Sequence, residues 1–367
     1  MLRIIHIITT LDHGGAEAML YKLLCSIDKR SYNIKVICMR DKGYYGNLIQ
    51  DQGIEVFALN ITLFSAFSAL LKAIKICANA DIIHTWMYHA DLLGFLVSKL
   101  SATKKLIWSI RHSDFVNDKK STFIIAKTNS VLSRWVDCVL VNSKRGRNIH
   151  IDIGYCNDNM LVIPNGFDLQ KFRYIPNARS KLIADLGTGA CPLVGFVARW
   201  HKMKGHEVLF KAVQSLVRRG FQFKLVLCGE GIHPSNVEIN ELLDQFQLYP
   251  NVRLLGCRND IVEIISAMDV FVLASVSGEG FPNVIGEAMA CEIPCVVTDV
   301  GDSASIVGDT GIVVKPGDSS ALAEGLLKML SLTYEQRREI GERARMRITS
   351  LFDIEKIVKQ IERMYEL

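Results

Sequence analysis

The stretch Val270-Phe-Val-Leu-Ala-Ser-Val-Ser-Gly-Glu279-Gly-Phe-Pro-Asn-Val-Ile-Gly-Glu287-Ala-Met-Ala290, with Pro294-Cys-Val-Val-Thr298 close behind, reads as strand, loop, helix and strand. Val270–Ala274 is a short apolar run that ends at the turn-like Ser275-Val-Ser-Gly278, the pattern of a buried strand. Pro282 suits the first turn of a helix, where its missing N–H costs little. The helix then runs over Asn283–Ala290. Glu279 falls in the loop at the helix mouth, and Glu287 more than one turn inside. Backbone N–H groups at such a mouth lack intrahelical partners and attract an anion such as a diphosphate. Carboxylates on either side are placed to accept hydrogen bonds from sugar hydroxyls, an arrangement suited to a nucleotide sugar.

Outward from this stretch the same alternation continues. Strands are expected at Leu193–Ala198, Phe223–Cys228 and Val252–Leu255, with helices at His206–Arg219, Val237–Phe246 and Ile261–Ala267. An earlier series places strands at Arg3–Thr9, Ile34–Met39, Glu55–Leu59, Asp81–Trp86, Leu106–Ile110, Val136–Val141 and Met160–Ile163. Helices between them include Ala16–Ser26, Phe64–Cys77 and His89–Leu100. Strand alternating with helix implies α/β architecture, with parallel sheets and right-handed crossovers. The turn residues of Pro164-Asn-Gly-Phe-Asp168, and a polar stretch of little apolar periodicity to about Gly189, mark a boundary. The expectation is two Rossmann-like domains facing each other across a cleft, over residues 1–170 and 171–345. A charged C-terminal helix over 346–367 is expected to pack back on the first. Ligands of such sheets bind beyond the carboxyl ends of the strands, where the motifs below all fall.

Residues 1–170 carry 20 Lys and Arg against 14 Asp and Glu, while residues 171–367 carry 23 against 24, so the excess of +5 belongs to the first half. Either this is ordinary solvated charge or it meets an anionic surface. Phe64–Cys77, apolar on one side with Lys72 and Lys75 on its flank, is either a core-facing helix or one lying on a membrane. The ten cysteines form no Cys-x-x-Cys pair and read as reduced, buried thiols of a cytosolic protein. Leu2–Thr9 is too short for a signal peptide, and no run of 18 apolar residues exists to span a membrane.

Thr10-Leu-Asp-His-Gly-Gly-Ala-Glu17 joins the first strand to the first helix, with Gly14 and Gly15 permitting close backbone approach of a ligand. No G-x-G-x-x-G, phosphate loop or G-x-S-x-G elbow is present, which argues against a nicotinamide enzyme, a P-loop NTPase and an α/β-hydrolase. In Val197-Ala-Arg199-Trp-His-Lys-Met-Lys204-Gly-His206, Arg199 and Lys204 flank a loop and are either solvated surface cations or a pair that neutralises a leaving diphosphate, with Lys202 a competitor. His112, in Ser109-Ile-Arg-His-Ser-Asp114, follows a strand end. It is either structural or a hydrogen-bond donor to sugar, phosphate or acceptor. No Asp-x-Asp and no zinc spacing of His or Cys occurs, so no metal and no cofactor is expected.

Together these residues resemble the retaining glycosyltransferases of family 4, which have the two-Rossmann GT-B fold. The resemblance spans nearly the whole chain. It is carried by Pro164–Asp168, Arg199 to Gly205, Cys228-Gly-Glu-Gly231 and Glu279 to Thr298. It implies that Arg199 and Lys204 bind the diphosphate and stabilise its departure, and that Glu279 holds the transferred sugar. Backbone around Gly280, Phe281, Pro282 and Asn283 would complete that site. Glu287 would bind the ribose, and the loop around Arg258 would face the base. Gly14 and Gly15 would approach the phosphates or acceptor, and His112 the sugar near its reacting carbon. Ala198 and Glu292 depart from the glycines common in the family. The resemblance points to bacterial surface-polysaccharide synthesis, such as O-antigen or lipopolysaccharide. It implies a UDP-sugar donor, with GDP-mannose the main competitor. The implied acceptor is a polyprenyl-diphosphate-linked saccharide at the inner face of the cytoplasmic membrane, with no nucleic-acid partner. A UDP-sugar 2-epimerase and a catalytically silent nucleotide-sugar-binding protein are the rival readings.

Overall fold

The strands at Leu2–Ile8 (β1), Tyr32–Cys38 (β2), Glu55–Ala58 (β3), Ile82–Trp86 (β4), Lys105–Ile110 (β5), Cys138–Val141 (β6) and Met160–Val162 (β7) form one parallel sheet, in the order β3-β2-β1-β4-β5-β6-β7. The structure, a computed structural model, describes residues 1–62, 64–113, 115 and 120–366. Asp114 and Leu367, which end two of the segments quoted above, lie outside the described residues. Sequence order reverses between β1 and β4, the switch point at which ligands of doubly wound sheets bind. β1 and β4 are buried on both faces because helices cover both. One layer holds Gly15–Ser26 (α1) and Gly43–Asp51 (α2). The other holds Ala66–Cys77 (α3), Tyr88–Ser101 (α4) and Lys120–Leu132 (α5), and Lys144–Asp152 (α6) follows β6.

A second unit repeats the plan. After Ala178–Leu186 (α7) come Leu193–Val197 (β8), His206–Arg218 (α8), Lys224–Cys228 (β9), Val237–Phe246 (α9), Val252–Leu254 (β10), Ile261–Ser266 (α10) and Val270–Leu273 (β11). Asn283–Ala290 (α11), Cys295–Thr298 (β12), Ser303–Val307 (α12), Gly311–Val314 (β13), Ser319–Leu330 (α13), Tyr334–Leu351 (α14) and Ile354–Glu366 (α15) follow. The sheet order is β10-β9-β8-β11-β12-β13, so β8 and β11 flank its switch point.

The division differs from the expected one. The first unit comprises Met1–Gly166 with Ile354–Leu367, and the second Phe167–Asp353. The chain leaves the second unit at 353, not 345, because α14 runs unbroken through 346 and buries Ala344 and Ile348 in the second core. Only α15 joins the first unit, burying Ile357, Val358 and Ile361 beside α1. Within the polar stretch before Gly189 the structure has a helix, α7. It buries only Ala178 and Leu182 on its inner side, too sparse a pattern to register as periodicity. Six cysteines are buried, whereas Cys25 and Cys257 are exposed.

The first unit's core is unusually polar. His84 on β4 bonds Tyr365 Oη of α15 through Nδ1 (2.7 Å) and Ser109 Oγ through Nε2 (2.7 Å). Trp86 Nε1 donates to His6 Nδ1 at 3.1 Å. Burial lowers His6 to about 3, His150 to about 4 and His84 well below its ordinary 6.5. The unfolded chain protonates all three below about pH 6.5 while the native state does not, so stability is lost as pH falls through that value. Asp91, buried and held well above the carboxylate range, acts in the opposite sense. Urea titration followed by tryptophan fluorescence is expected to show stability falling steeply between about pH 7 and about pH 5.5. A flat profile across that interval would contradict neutral burial of these histidines.

Candidate functional site

Past the strand ends of the second sheet, backbone bonds continue and tie four loops into one rim. Ala198 N–H donates to Cys228 O (3.0 Å), Trp200 to Glu230 O (2.7 Å), Gly229 to Gly256 O (2.9 Å) and Val276 to Met203 O (2.8 Å). This rim carries Arg199, Lys204, Arg258 and Glu279.

Lys204 closes a short 3-10 turn, Lys202–Lys204, whose start is capped by His201 Nδ1 accepting from Met203 N–H at 3.3 Å. Gly205 then turns the chain into α8 with φ +73°, and a Cβ there would stand 2.0 Å from Ala274 O. Only glycine permits both the left-handed turn and that approach. The turn delivers Lys204 Nζ to 2.5 Å from Glu279 Oε1, and Ser275 Oγ donates to the same oxygen at 2.7 Å. Ser275 is itself fixed by Thr298 Oγ1, which donates to its carbonyl at 2.7 Å. The Glu279 side chain is 10 % exposed and Lys204 24 %, so their attraction is screened less than at an open surface. From behind, Asp302 N–H donates to Gly280 O at 2.9 Å. Gly301 has φ +58°, and a Cβ on it would stand 2.5 Å from Glu279 O. The Glu279-Gly280 backbone is therefore held on both sides.

α11 opens directly beyond. Pro282 occupies its N-cap position with ψ 101°, one residue before the first turn expected for it, and provides no side-chain cap. The first-turn amides are thus uncovered by any side chain of the cap, the condition for anion binding. Phe281 contributes backbone only. Its ring is buried, 6.1 Å from the Phe167 ring and 5.6 Å from that of Phe352, so it anchors the loop in the core. Glu287 stands half-buried one turn along the helix, and Asn283 begins it.

The remaining expected residues of this unit divide. Arg199 lies on the rim, exposed. Lys202 points to the far side of the turn, into a hollow shared with Glu207, Glu238 and Glu241, and so does not compete with Lys204. Arg258 lines a cavity of about 240 Å³ between α7 and α10, its guanidinium gripped by Asp260 at 2.8 and 2.6 Å. Ser275, Thr298 and Gly301 were not singled out in the sequence. The serine just past an apolar run, four residues before Glu279, was the one available signal.

In the first unit, Gly14 is the N-cap of α1 with an extended φ of −166°, and Gly15 is the first helical residue. The Glu17 carboxylate folds over this mouth, 2.2 Å from where a Cβ on Gly14 would stand. Burial raises its carboxyl above the usual range, against the backbone hydrogen bond that lowers it. A ligand phosphate approaching Gly14 and Gly15 has to displace that carboxylate. His112 follows β5, half-buried, with its ring edge-on to Tyr88 (6.0 Å) and Phe115 (5.5 Å). His150 holds Tyr88 Oη at 2.8 Å through Nε2 and faces Gly146 O at 2.6 Å through Nδ1. His112 therefore rests on a braced aromatic platform. Beside it, Arg111 stacks 4.9 Å over Trp86 and donates to Asn165. Among the described residues no three His, Cys, Asp or Glu side chains converge as metal ligands.

Two family models match, one described as Glycosyltransferase Family 4 over residues 13–171 and one as Glycosyl transferases group 1 over residues 191–332. The chain is 26 % identical to the capsular polysaccharide biosynthesis glycosyltransferase CapM of Staphylococcus aureus, over 83 % of this chain and 82 % of that one. It is 24 % identical to the Escherichia coli UDP-Gal:α-D-GlcNAc-diphosphoundecaprenol α-1,3-galactosyltransferase, over 92 % and 90 %. Crystal structures of Anabaena Alr3699/HepE with UDP and with UDP-glucose superpose with TM-scores of 0.88 and 0.86 at 24 % identity, each covering the whole of both chains. These likenesses agree with the two switch-point sheets in giving the GT-B fold. With one model matching in each unit, the chain belongs to glycosyltransferase family 4.

Proposed function

We propose that the protein is a retaining, metal-independent glycosyltransferase. It moves a sugar from a UDP-sugar to a hydroxyl of a polyprenyl-diphosphate-linked saccharide in bacterial surface-polysaccharide synthesis. The observation that carries this reading is the shielded Lys204–Glu279 pair at the uncapped mouth of α11, with Glu287 one turn inside. The diphosphate lies at that mouth, where amide dipoles, Lys204 and Arg199 stabilise the charge that develops as it leaves. Glu279 accepts from hydroxyls of the transferred sugar and Glu287 from those of the ribose. The base occupies the cavity at Arg258. His112 donates a hydrogen bond to the sugar, and the backbone at Gly14 and Gly15 approaches the phosphates. The acceptor hydroxyl enters on the face the diphosphate leaves, and a phosphate oxygen takes its proton, so configuration is retained without a covalent sugar–enzyme bond. UDP-glucose in one solved neighbour's structure, and UDP-Gal and a diphosphoundecaprenol-linked sugar in the name of another relative, support the substrate classes.

A panel of UDP- and GDP-sugars tests the donor. Thermal stabilisation and slow hydrolysis are expected with a UDP-sugar and not with GDP-mannose, in the presence of EDTA. Stabilisation by GDP-mannose alone would move the reading to a mannosyltransferase. Conversion of a UDP-sugar to its 2-epimer without acceptor would replace transfer by epimerisation.

A further inference from the structure

Nine of the eighteen large apolar side chains exposed among the described residues fall between residues 64 and 135, on one helical layer of the first unit. α3 buries Ala69, Ala73 and Cys77 against the sheet and turns Phe67 and Leu71 outward, preceded by the exposed Phe64 and continued by Lys72 and Lys75 on the same stripe. α5 presents Lys120, Ile124, Lys127 and Val131 at helical spacing, and Trp135 continues the row. α4, packed between them, adds Leu100 beside Lys99. The contrast with the opposite layer is sharp: α1, α2 and α15 expose one large apolar side chain, Tyr44.

Scattered exposed apolar residues need no explanation, but a contiguous set on three adjacent helices does. Its charge chooses the partner. α3, α4 and α5 hold five lysines and a single carboxylate, Asp91, which is buried under the layer and bonded by Thr85 Oγ1. No acid is therefore exposed on any of the three helices. Apolar side chains that dip below a headgroup plane, ringed by lysines that reach phosphates, are what an anionic bilayer binds. An acidic protein groove would need matching hollows. A lipid surface needs only this projecting, one-signed face.

We propose that the outer face of α3, α4 and α5 docks the first unit on an anionic membrane, peripherally and reversibly. The proposal does not depend on the donor assignment, since partition and donor hydrolysis are separate measurements. Cosedimentation of the full chain with vesicles of phosphatidylcholine, with and without phosphatidylglycerol, is the test. Binding is expected only with the anionic lipid, and high salt should weaken it. Phe64→Ser with Phe67→Ser, and separately Lys75→Glu with Lys120→Glu, should each lower partition about tenfold or more while donor hydrolysis stays unchanged. Lys315→Glu with Lys328→Glu, exposed on the second unit, makes the same change of net charge and should leave partition intact. Equal loss in that control would reduce the effect to unspecific charge and overturn the proposal. So would wild-type binding in the Phe64/Phe67 variant, absence of binding to anionic vesicles, or a dimer in solution that the Phe64/Phe67 variant breaks, which would make a second copy the occupant.

Discussion

Replacing Lys204 by alanine is expected to lower turnover about 10²- to 10³-fold while the protein stays folded. Two unit charges about 4 Å apart at a partly shielded site interact by ~4 kcal/mol, and a leaving diphosphate gains charge as the bond breaks. Loss of most of that interaction matches the predicted factor, which corresponds to about 2.7–4 kcal/mol. The effect belongs in kcat more than in KM, because the interaction grows between ground state and transition state. Glu279 loses its cation but keeps the Ser275 hydroxyl. Leaving this mostly buried carboxylate without its cation costs on the order of 1–3 kcal/mol of stability, and the melting temperature should fall by several degrees. Lys204→Arg should recover part of the rate, since the charge returns on a fork of different geometry. Arg199→Ala should cost less, roughly tenfold, because an exposed cation acts through a screened field. Single-turnover measurement at saturating donor separates these effects. A Lys204→Ala enzyme within a few-fold of wild type would remove the lysine from the chemistry.

The pairing that this experiment probes could not be read from sequence, and the reason is topological. The apolar run Val270–Ala274, the turn after it and the helix at Asn283 are local patterns, and the structure has each within a residue. Lys204 and Glu279 are 75 positions apart, and they meet because β8 and β11 are neighbours across the switch point. Alternating strands and helices do not announce their order in a sheet. The same limit applies to Gly301, whose use depends on backbone oxygens 21 and 22 residues away. Phe281 differs: the local pattern places its backbone at the helix mouth, but its ring is buried by Phe167 and Phe352, partners far away in sequence. Glu17 was legible and overlooked. An acid in the first turn after a glycine N-cap is placed to cover its own helix mouth.

Gly205→Ala should reduce turnover about as severely as loss of the lysine itself, although residue 205 carries no functional group. At φ +73° an alanine is strained by about 1–2 kcal/mol before any contact is counted. Its Cβ would also meet Ala274 O at 2.0 Å and Ala274 C at 2.9 Å. That backbone directly follows β11 and cannot yield as a side chain would. The turn must move instead, by about 1 Å to reach ordinary contact, and Lys204 is the residue before it. A displacement of that size at a reacting site costs about 10²-fold. Gly220→Ala isolates the strain: φ there is +85°, and nothing stands within 4 Å of its Cβ. It should lose about 1 kcal/mol of stability and keep its turnover. The two variants thus share a backbone penalty and differ in whether the Lys204 turn must shift. If Gly205→Ala melted like Gly220→Ala and turned over like wild type, the turn would have slack, and the 2.5 Å approach of Lys204 to Glu279 would not require Gly205. If turnover fell in Gly205→Ala alone, the placement of the lysine by the Ala274 contact would be the cause.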